Sequence, residues 1–505
     1  ANGDGGEVDG TSKEKEVPAI DGDGVSSENQ ASTRSLPRGK DSPTPASTPM
    51  SPISPSSRAR RSSLKLASTE SLTGDSPLEM RKSVSFPHRK ELESVMVIPP
   101  LPPTPLERFW TEEGALIQLC LPIIANQFLS FLLNMVDLAM VGHLGRLEFA
   151  SASLGLAYYN VLYYPLSGVA MALDTLLSQS YGARNSDLYG RSLVSGCVVM
   201  FLLCIPCALA LVATGPVLLA VGIDPAMVGP AAEFCQWLIP GLYPSVANLL
   251  FTKFLQNQKI LAPSVYMALA ANLFNVACNY FMIYESGLGF IGAPMATSVT
   301  RIAYFAVVVY YCVRKAPALE RPTWPRWRWE VVSVADCLKF CELGFPGAAM
   351  IALEAWAFEV TFFMVSYIGA VELDAHSALM NTQGFVYMSF PLALSIAASI
   401  RVGHLLGAGE AEEARLACRV TVLNSLLFMS CLAVLLLVFR DRIGWIYSDD
   451  VEVIALVSTL VPLACSFLLV DGLQSALAGV YRGMGRQKLV VGLNFVGFWV
   501  LGLPV

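Results

Sequence analysis

The segment LCLPIIANQF at Leu119–Phe128 has a counterpart far along the chain, LGFPGAAMIA at Leu343–Ala352. Both segments are mainly apolar, and a proline is the fourth residue of each, so that Pro122 aligns with Pro346. A proline within a membrane helix is tolerated and permits a bend, although a simple kink is an equal alternative. The two segments therefore indicate an internal repeat made of apolar helices.

Long apolar runs follow each of these segments. The chain of 505 residues is 54% hydrophobic and 15% charged, whereas an ordinary soluble domain carries about 25% charged residues. A membrane-spanning helix needs about 20 mainly apolar residues, and we predict eleven such spans. They lie at 116–141, 154–177, 192–219, 231–254, 262–284, 291–313, 344–368, 376–400, 417–439, 454–480 and 489–505.

The repeat extends beyond the two opening segments. LGRLEFASAS at Leu144–Ser153 falls on IGAVELDAHS at Ile368–Ser377 without a gap, which matches Glu148 with Glu372. Six spans separate equivalent points, so the halves enter the membrane in the same orientation. Parallel repeats of this kind are typical of secondary transporters, which bind substrate between the halves near the membrane midplane. The second half has one span fewer, so we expect a chain that ends within its eleventh span and lacks a twelfth.

Basic residues are concentrated in the loops that follow even-numbered spans. By the positive-inside rule, these loops and the N-terminal tail are expected to face the cytoplasm. The residues are Arg184, Arg191, Lys259, Arg314, Lys315, Arg321, Arg326, Arg328, Lys339, Arg415, Arg482, Arg486 and Lys488.

Residues 1–105 differ from the rest of the chain, being rich in Ser, Pro, Gly, Thr and charge. Such a composition buries too little apolar area to offset its ordering entropy, so we expect a disordered cytoplasmic tail. RARRSSLKL at Arg58–Leu66 and RKSVSF at Arg81–Phe86 place basic residues ahead of serines, as basophilic kinase sites do. A merely solvated tail and a polybasic segment that binds anionic lipid are the alternatives. The candidate phosphorylation sites are Ser62, Ser63, Ser83 and Ser85.

Five motifs, in order along the chain, resemble the multidrug and toxic compound extrusion (MATE) family, and its eukaryotic branch more than its bacterial ones. They are MVGHLG (Met140–Gly145), ALDTLLSQSYGARN (Ala172–Asn185), EAWAFEV (Glu354–Val360), SIRVGHLLGAG (Ser399–Gly409) and YRGMGRQK (Tyr481–Lys488). The resemblance implies an all-α, two-lobed bundle of twelve helices, six in each parallel half. The implied N-lobe spans 106–315, a cytoplasmic linker spans 316–340, and the C-lobe spans 341–505.

The resemblance also implies an activity. MATE proteins are multi-pass antiporters of the plasma membrane or of vacuolar and other internal membranes. They export organic cations, xenobiotics or secondary metabolites in exchange for protons or, in some members, sodium. This implies a monomer in the lipid bilayer that is not an enzyme, needs no cofactor or metal beyond the ion gradient, and binds no nucleic acid. We interpret the cysteines of the apolar runs as small apolar fillers.

Five positions are implied as coupling or substrate-binding residues. Glu354 corresponds to the central acid of the seventh helix, and Glu359 matches a second acid there. Asp471 occupies the acid position of the tenth helix, and Asp137 resembles the N-lobe aspartate of the first helix. Relatives that have a glutamate in the eighth helix have it at the position of Asn381. This chain therefore departs from their pattern of charge.

An acid within a membrane span is costly and therefore a functional candidate. Burial raises the pKa of a carboxylic acid, so that it can exchange a proton near working pH. An ionised acid attracts a cation and a protonated one does not, which lets proton and cargo exclude each other. Glu354 and Glu359 lie about 140° apart around a helix, so we expect Glu354 rather than Glu359 to line the cavity. Trp356 and Tyr387 are candidates for stacking on a cationic substrate, with packing as the alternative.

Other functions fit the residues less well. A flippase for lipid-linked or amphipathic substrates on a related bundle is the main alternative, but such cavities tend to be cationic. Sodium-coupled exchange and a passive channel are further alternatives. GLGFIG at Gly287–Gly292 fits a nucleotide-binding pattern, yet it joins two predicted membrane helices without a preceding strand, so we interpret it as a turn.

Overall fold

The computed structural model describes residues 104–315, 323–325, 327–328 and 331–504, and within these ranges it is helical, without β-strands. The four candidate phosphorylation serines and nearly all of the predicted tail lie outside the described residues, as does part of the predicted linker.

The first half of the bundle contains eight α-helices. They are α1 (Pro105–Gly142), α2 (Arg146–Ala170), α3 (Ala172–Gly182), α4 (Ser186–Val212), α5 (Thr214–Val221), α6 (Pro225–Gln256), α7 (Ala262–Tyr280) and α8 (Gly292–Lys315). A π-helical turn at Phe281–Glu285 and a 3₁₀ turn at Gly289–Ile291 connect α7 with α8.

The second half contains seven α-helices. They are α9 (Val334–Ser366), α10 (Ala370–Ser389), α11 (Pro391–Gly407), α12 (Ala411–Val438), α13 (Arg440–Ile443), α14 (Val451–Gly483) and α15 (Gln487–Asn494). A 3₁₀ turn at Gly444–Ile446 follows α13, and a π-helical segment at Phe495–Gly502 continues α15.

These helices lie where the sequence predicts the eleven spans, and several spans combine two elements. Of the described chain, nine helical segments are both long and apolar enough to cross a membrane. The other two predicted spans are α6 and the segment 487–502. The helix α6 has 32 residues and contains Pro230, Pro240 and Pro244, whereas Gln487–Gly502 is a shorter apolar helix.

Local sequence signals determine where α1 begins and where two spans break. Thr104 caps α1: its Oγ1 accepts a hydrogen bond from the Glu107 backbone N–H, and the Glu107 carboxylate accepts one from the Thr104 N–H. The second span breaks at Met171, between α2 and α3. The eighth breaks at Phe390, directly before Pro391, whose ring cannot continue the preceding helix.

The two halves form two lobes that meet along α1, α2 and α3 on one side and α9, α11 and α14 on the other. They approach closely at the end of the bundle formed by the loops 183–185, 257–261, 408–410 and 484–486, which we call the basic end. There a Cβ on Gly182 would overlap with the His404 carbonyl oxygen, and a Cβ on Gly403 would overlap with the Ser178 hydroxyl. Glycine at these positions lets α3 and α11 pack with their backbones nearly in contact.

Candidate functional site

Glu354 lies half-buried on α9, in a polar cluster within the C-lobe. Its Oε2 lies 3.5 Å from the Gln474 amide nitrogen on α14, at the outer limit of a hydrogen bond. That amide nitrogen also lies 3.4 Å from Oδ1 of Asn494 on α15, and the Asn494 amide donates to the Met350 carbonyl at 3.2 Å. Among the residues that the structure describes, Glu354 therefore has one long hydrogen bond, from an amide that it shares with Asn494.

Asp471 belongs to the same cluster and is 3% exposed. The Gln383 amide of α10 lies within hydrogen-bonding reach of its carboxylate, and the charge of Asp471 acts on Glu354. The Tyr387 hydroxyl lies near both acids and within reach of Ser475. Helices α9, α10, α14 and α15 thus bring two carboxylates, a phenol and several amides together.

The other sequence-predicted residues of the C-lobe lie outside this cluster. Glu359 is exposed on α9, and its charge acts on the Tyr164 hydroxyl of α2 in the N-lobe. Trp356, on the same helix, is 41% exposed. Asn381 is exposed, and its amide donates at 2.9 Å to the Ser377 carbonyl one turn earlier in α10.

Asp137 forms a separate site in the N-lobe and is 8% exposed. Its Oδ1 accepts hydrogen bonds from the side-chain amides of Asn275 at 3.1 Å and Asn279 at 2.7 Å. Its Oδ2 accepts one from the Thr297 hydroxyl at 2.7 Å. Three donors from α7 and α8 therefore hold this carboxylate on both of its oxygens.

A cation accompanies Asp137. Arg301 of α8 lines the same small cavity, and its charge acts on Asp137. The guanidinium donates to the Tyr159 hydroxyl at 2.8 Å and lies 4.9 Å from the centre of that ring, which is itself stacked on Tyr163. Such a cation–π contact stabilises a buried guanidinium. The N-lobe site thus combines one acid with a fixed base.

Sequence reasoning did not identify the partners of Asp137. Asn275, Asn279 and Thr297 lie more than a hundred residues away along the chain, and no local pattern connects them to the acid. One signal was available, because Asn272, Asn275 and Asn279 follow a helical spacing on an otherwise apolar α7. An amide stripe within a membrane helix indicates a polar partner on the facing helix.

Cysteines do not form a metal site in the described ranges. Cys204 and Cys207 are spaced C-x-x-C within α4, but both are free thiols. No group of three His, Cys, Asp or Glu residues that could hold a metal occurs among the residues with described positions.

The family model described as MatE matches the chain twice, at residues 122–281 and 346–505. The chain belongs to the MATE family. The two matches begin at Pro122 and Pro346, which are the prolines paired by the internal repeat. The predicted family is therefore confirmed.

Individual relatives agree with this membership. The chain is 33% identical over 401 residues to Multidrug and toxin extrusion protein 1 of Mus musculus, covering 79% of this chain and 70% of that protein. The Homo sapiens protein of the same name is 34% identical over the same lengths. These relatives are transporters rather than enzymes, as predicted.

Solved structures of MATE transporters share the fold. The eukaryotic MATE transporter AtDTX14 superimposes with a TM-score of 0.73 at 28% identity, covering 79% of this chain and 88% of that one. The Vibrio cholerae MATE transporter VcmN in its bent form gives a TM-score of 0.72 at 17% identity, over 79% of this chain and 89% of that one. The predicted all-α, two-lobed fold of a multi-pass membrane transporter is confirmed.

Proposed function

We propose that this MATE protein is a secondary active antiporter that exports organic cations, including xenobiotics or secondary metabolites, in exchange for protons. The observation that carries the proposal is the pair of acids in the C-lobe. Within the described part of the chain, neither Glu354 nor Asp471 lies within ion-pair distance of a lysine or arginine. Two carboxylates without a paired base leave a site that a cationic cargo or a proton can neutralise.

Competition at Glu354 provides the coupling. Its single long hydrogen bond from Gln474 leaves most of the acceptor capacity of the carboxylate unused. A proton or a cationic group fills that capacity, and each excludes the other. The neighbouring Asp471 strengthens this exclusion, because two adjacent acids favour uptake of at least one positive charge. A proton gradient then supplies the energy, without a nucleotide.

Cargo selection follows from the same charges. Two acids repel the phosphate of a lipid-linked substrate, which disfavours the flippase alternative. Tyr387, half-buried beside both acids, offers an aromatic face to an organic cation. Trp356 is exposed and lies outside the polar cluster, so Tyr387 is the better candidate of the two for stacking.

Sodium coupling is the second candidate, and Asp137 is the residue that favours it. The side-chain carbonyl oxygens of Asn275 and Asn279 are buried beside this acid and have no hydrogen-bond partner among the described residues. Oxygen ligands suit hard cations such as sodium. The charge of Arg301 acts against a second cation at this site, so we assign the exchange to protons at Glu354.

We further propose that the protein works as a monomer, in the plasma membrane or an internal membrane, with the basic end and the N-terminal tail in the cytoplasm. The excess of lysine and arginine in the loops of the basic end supports this orientation.

The test is transport by the full-length protein in sealed lipid vesicles, using a fluorescent organic cation and an imposed pH gradient. We expect the cation to accumulate in the protein-containing vesicles only while the gradient is present, and to be released by a protonophore. Glu354→Gln should reduce gradient-driven uptake by about 100-fold, because an amide cannot exchange the proton at working pH.

A matched control is Glu342→Gln, which makes the same change on α9 at an exposed glutamate paired with Lys488. This variant should transport like the unmodified protein. Accumulation that ignores the pH gradient, or full transport by Glu354→Gln, would contradict proton exchange at Glu354.

A further inference from the structure

Three charged side chains are buried together at the basic end, and the charge of one of them, Arg482, also acts on Glu354. Asp174 of α3, Lys253 of α6 and Arg482 of α14 are 1%, 4% and 2% exposed. The Lys253 Nζ lies 2.7 Å from Asp174 Oδ1, and the Arg482 Nη1 lies 3.7 Å from Asp174 Oδ2. One carboxylate is thus shared by a base of its own lobe and a base of the other lobe.

Arg482 is held between the lobes by further contacts. Its Nη2 donates to the Ser395 hydroxyl of its own lobe at 2.6 Å, and its Nη1 lies 2.9 Å from the Met171 sulfur of the N-lobe. The Arg482 carbonyl oxygen accepts a hydrogen bond from the Thr175 hydroxyl of α3 at 2.5 Å. The end of α14, whose last carbonyls lack partners within the helix, is therefore capped by the other lobe.

The same end holds the other polar contacts between the lobes. The Glu112 carboxylate of α1 binds the Arg401 guanidinium of α11 through two hydrogen bonds of 2.7 and 2.6 Å. The His404 ring nitrogen lies 2.8 Å from the Asn257 carbonyl oxygen. These interlobe hydrogen bonds and ion pairs lie toward the same end, so separating the lobes here means breaking them together.

The internal repeat explains why two bases share one acid. TKFLQNQKI (252–260) aligns with YRGMGRQKL (481–489), which places Lys253 and Arg482 at equivalent positions of the two halves. The residue equivalent to Asp174 in the second half is Ser399, which has no charge. The repeat therefore supplies two cations and a single carboxylate.

We propose that Asp174, Lys253 and Arg482 form an ionic latch that keeps the basic end closed, with Lys253 competing against Arg482 for Asp174. The ion pair between Asp174 Oδ2 and Arg482 Nη1, at 3.7 Å and without a hydrogen bond, links the lobes, whereas the hydrogen-bonded ion pair between Asp174 and Lys253 lies within the N-lobe. Competition weakens the interlobe bond, so that the latch opens in each cycle to load cargo from the cytoplasm. This role in loading rests on the proposed function, but the latch itself does not.

Removing Arg482 and removing Lys253 should therefore have opposite effects on the closure of the basic end. Arg482→Gln leaves Asp174 and Lys253 as a complete pair within the N-lobe and removes the charged link between the lobes. Lys253→Met leaves the whole Asp174 carboxylate to Arg482, which strengthens that link. A purely structural role for the cluster predicts loosening by both changes, because each removes one buried charge of a network.

The experiment measures amide hydrogen exchange of the full-length protein in detergent, without cargo or a pH gradient. The segments 174–183 and 399–408, which face each other at the basic end, report whether the end is closed. We expect exchange there to be about tenfold faster in Arg482→Gln and slower in Lys253→Met, since exchange follows the local opening equilibrium. Arg415→Gln, which removes an exposed arginine at the same end, serves as the matched control and should leave both segments unchanged.

Faster or unchanged exchange in Lys253→Met overturns the latch, as does unchanged exchange in Arg482→Gln. If Arg482→Gln does not fold, Lys253→Met decides alone. Because the measurement involves neither protons nor cargo, failure of the latch leaves proton exchange at Glu354 standing. Failure of proton exchange likewise leaves the latch standing.

Discussion

Each lobe holds a carboxylate within its apolar helices, but the two acids are surrounded differently. Asp137 in the N-lobe accepts three hydrogen bonds on its two oxygens and has Arg301 nearby. Glu354 in the C-lobe is half-buried and accepts one hydrogen bond of 3.5 Å, and the charges of Asp471 and Arg482 both act on it. One acid is already satisfied by the protein, whereas the other has capacity left for a proton or a cargo.

This difference predicts that Asp137 is a structural charge and that Glu354 is an exchangeable one. A buried polar group destabilises the folded protein unless it is hydrogen-bonded. Removing a buried acceptor leaves its fixed donors without a partner, and this loss of stability is the largest. We therefore expect the protein to depend on Asp137 for stability and on Glu354 for transport. Variants of the two acids should show their effects in different measurements.

The largest effect on stability is expected for Asp137→Leu. The change leaves the buried donors of Asn275, Asn279 and Thr297 without their acceptor, and each such group costs about 1–3 kcal/mol. We expect the free energy of unfolding to fall by about 3 kcal/mol or more, measured by denaturation of the purified protein in detergent. Glu354→Gln should change it by less than about 0.5 kcal/mol. Equal losses in the two variants would contradict the distinction between the acids.

The acids could be singled out from the sequence for a physical reason. Apolar length and an ionisable residue within it are both local properties, so the spans and Glu354, Asp471 and Asp137 are visible along the chain. The approach of α9, α10, α14 and α15 is not local, which is why Gln383 and Gln474 were missed. Membrane helices make such partners hard to predict, because lipid-facing and protein-facing surfaces are both apolar.

The angular separation of Glu354 and Glu359 was predictable because helix geometry fixes it. The residues that each face of α9 contacts were not predictable, because these contacts depend on how the lobes pack. The buried latch shows the same limit: Asp174 and Lys253 are 79 residues apart, and Arg482 lies in the other half.

A smaller effect, this time on transport, is expected for Asp471→Asn. The change removes the acid whose charge acts on Glu354 while leaving Glu354 in place, so exchange should weaken without being lost. We expect the initial rate of gradient-driven cation uptake to fall by about tenfold, which corresponds to about 1.4 kcal/mol. Asp449→Asn, at an exposed aspartate between α13 and α14, is the matched control. Loss as complete as in Glu354→Gln would indicate that Asp471 is the exchanging acid instead.

The smallest effect is expected for Glu359→Gln. This residue is exposed on α9 and lies outside the polar cluster of the C-lobe, so we expect its charge to play no part in the exchange. The uptake rate in vesicles should change by less than about twofold, as for most exposed substitutions. A tenfold loss of uptake would place a second exchanging acid on the same helix and contradict the assignment to Glu354 alone.

The competition between proton and cargo at Glu354 is tested most directly by proton release on cargo binding. Purified protein in weakly buffered detergent solution is mixed with a permanently charged organic cation, and a pH-indicator dye reports released protons. We predict about one proton released for each cation bound by the unmodified protein and by Glu359→Gln. Glu354→Gln should release none. Cation binding without proton release in the unmodified protein, or undiminished release from Glu354→Gln, would contradict the account.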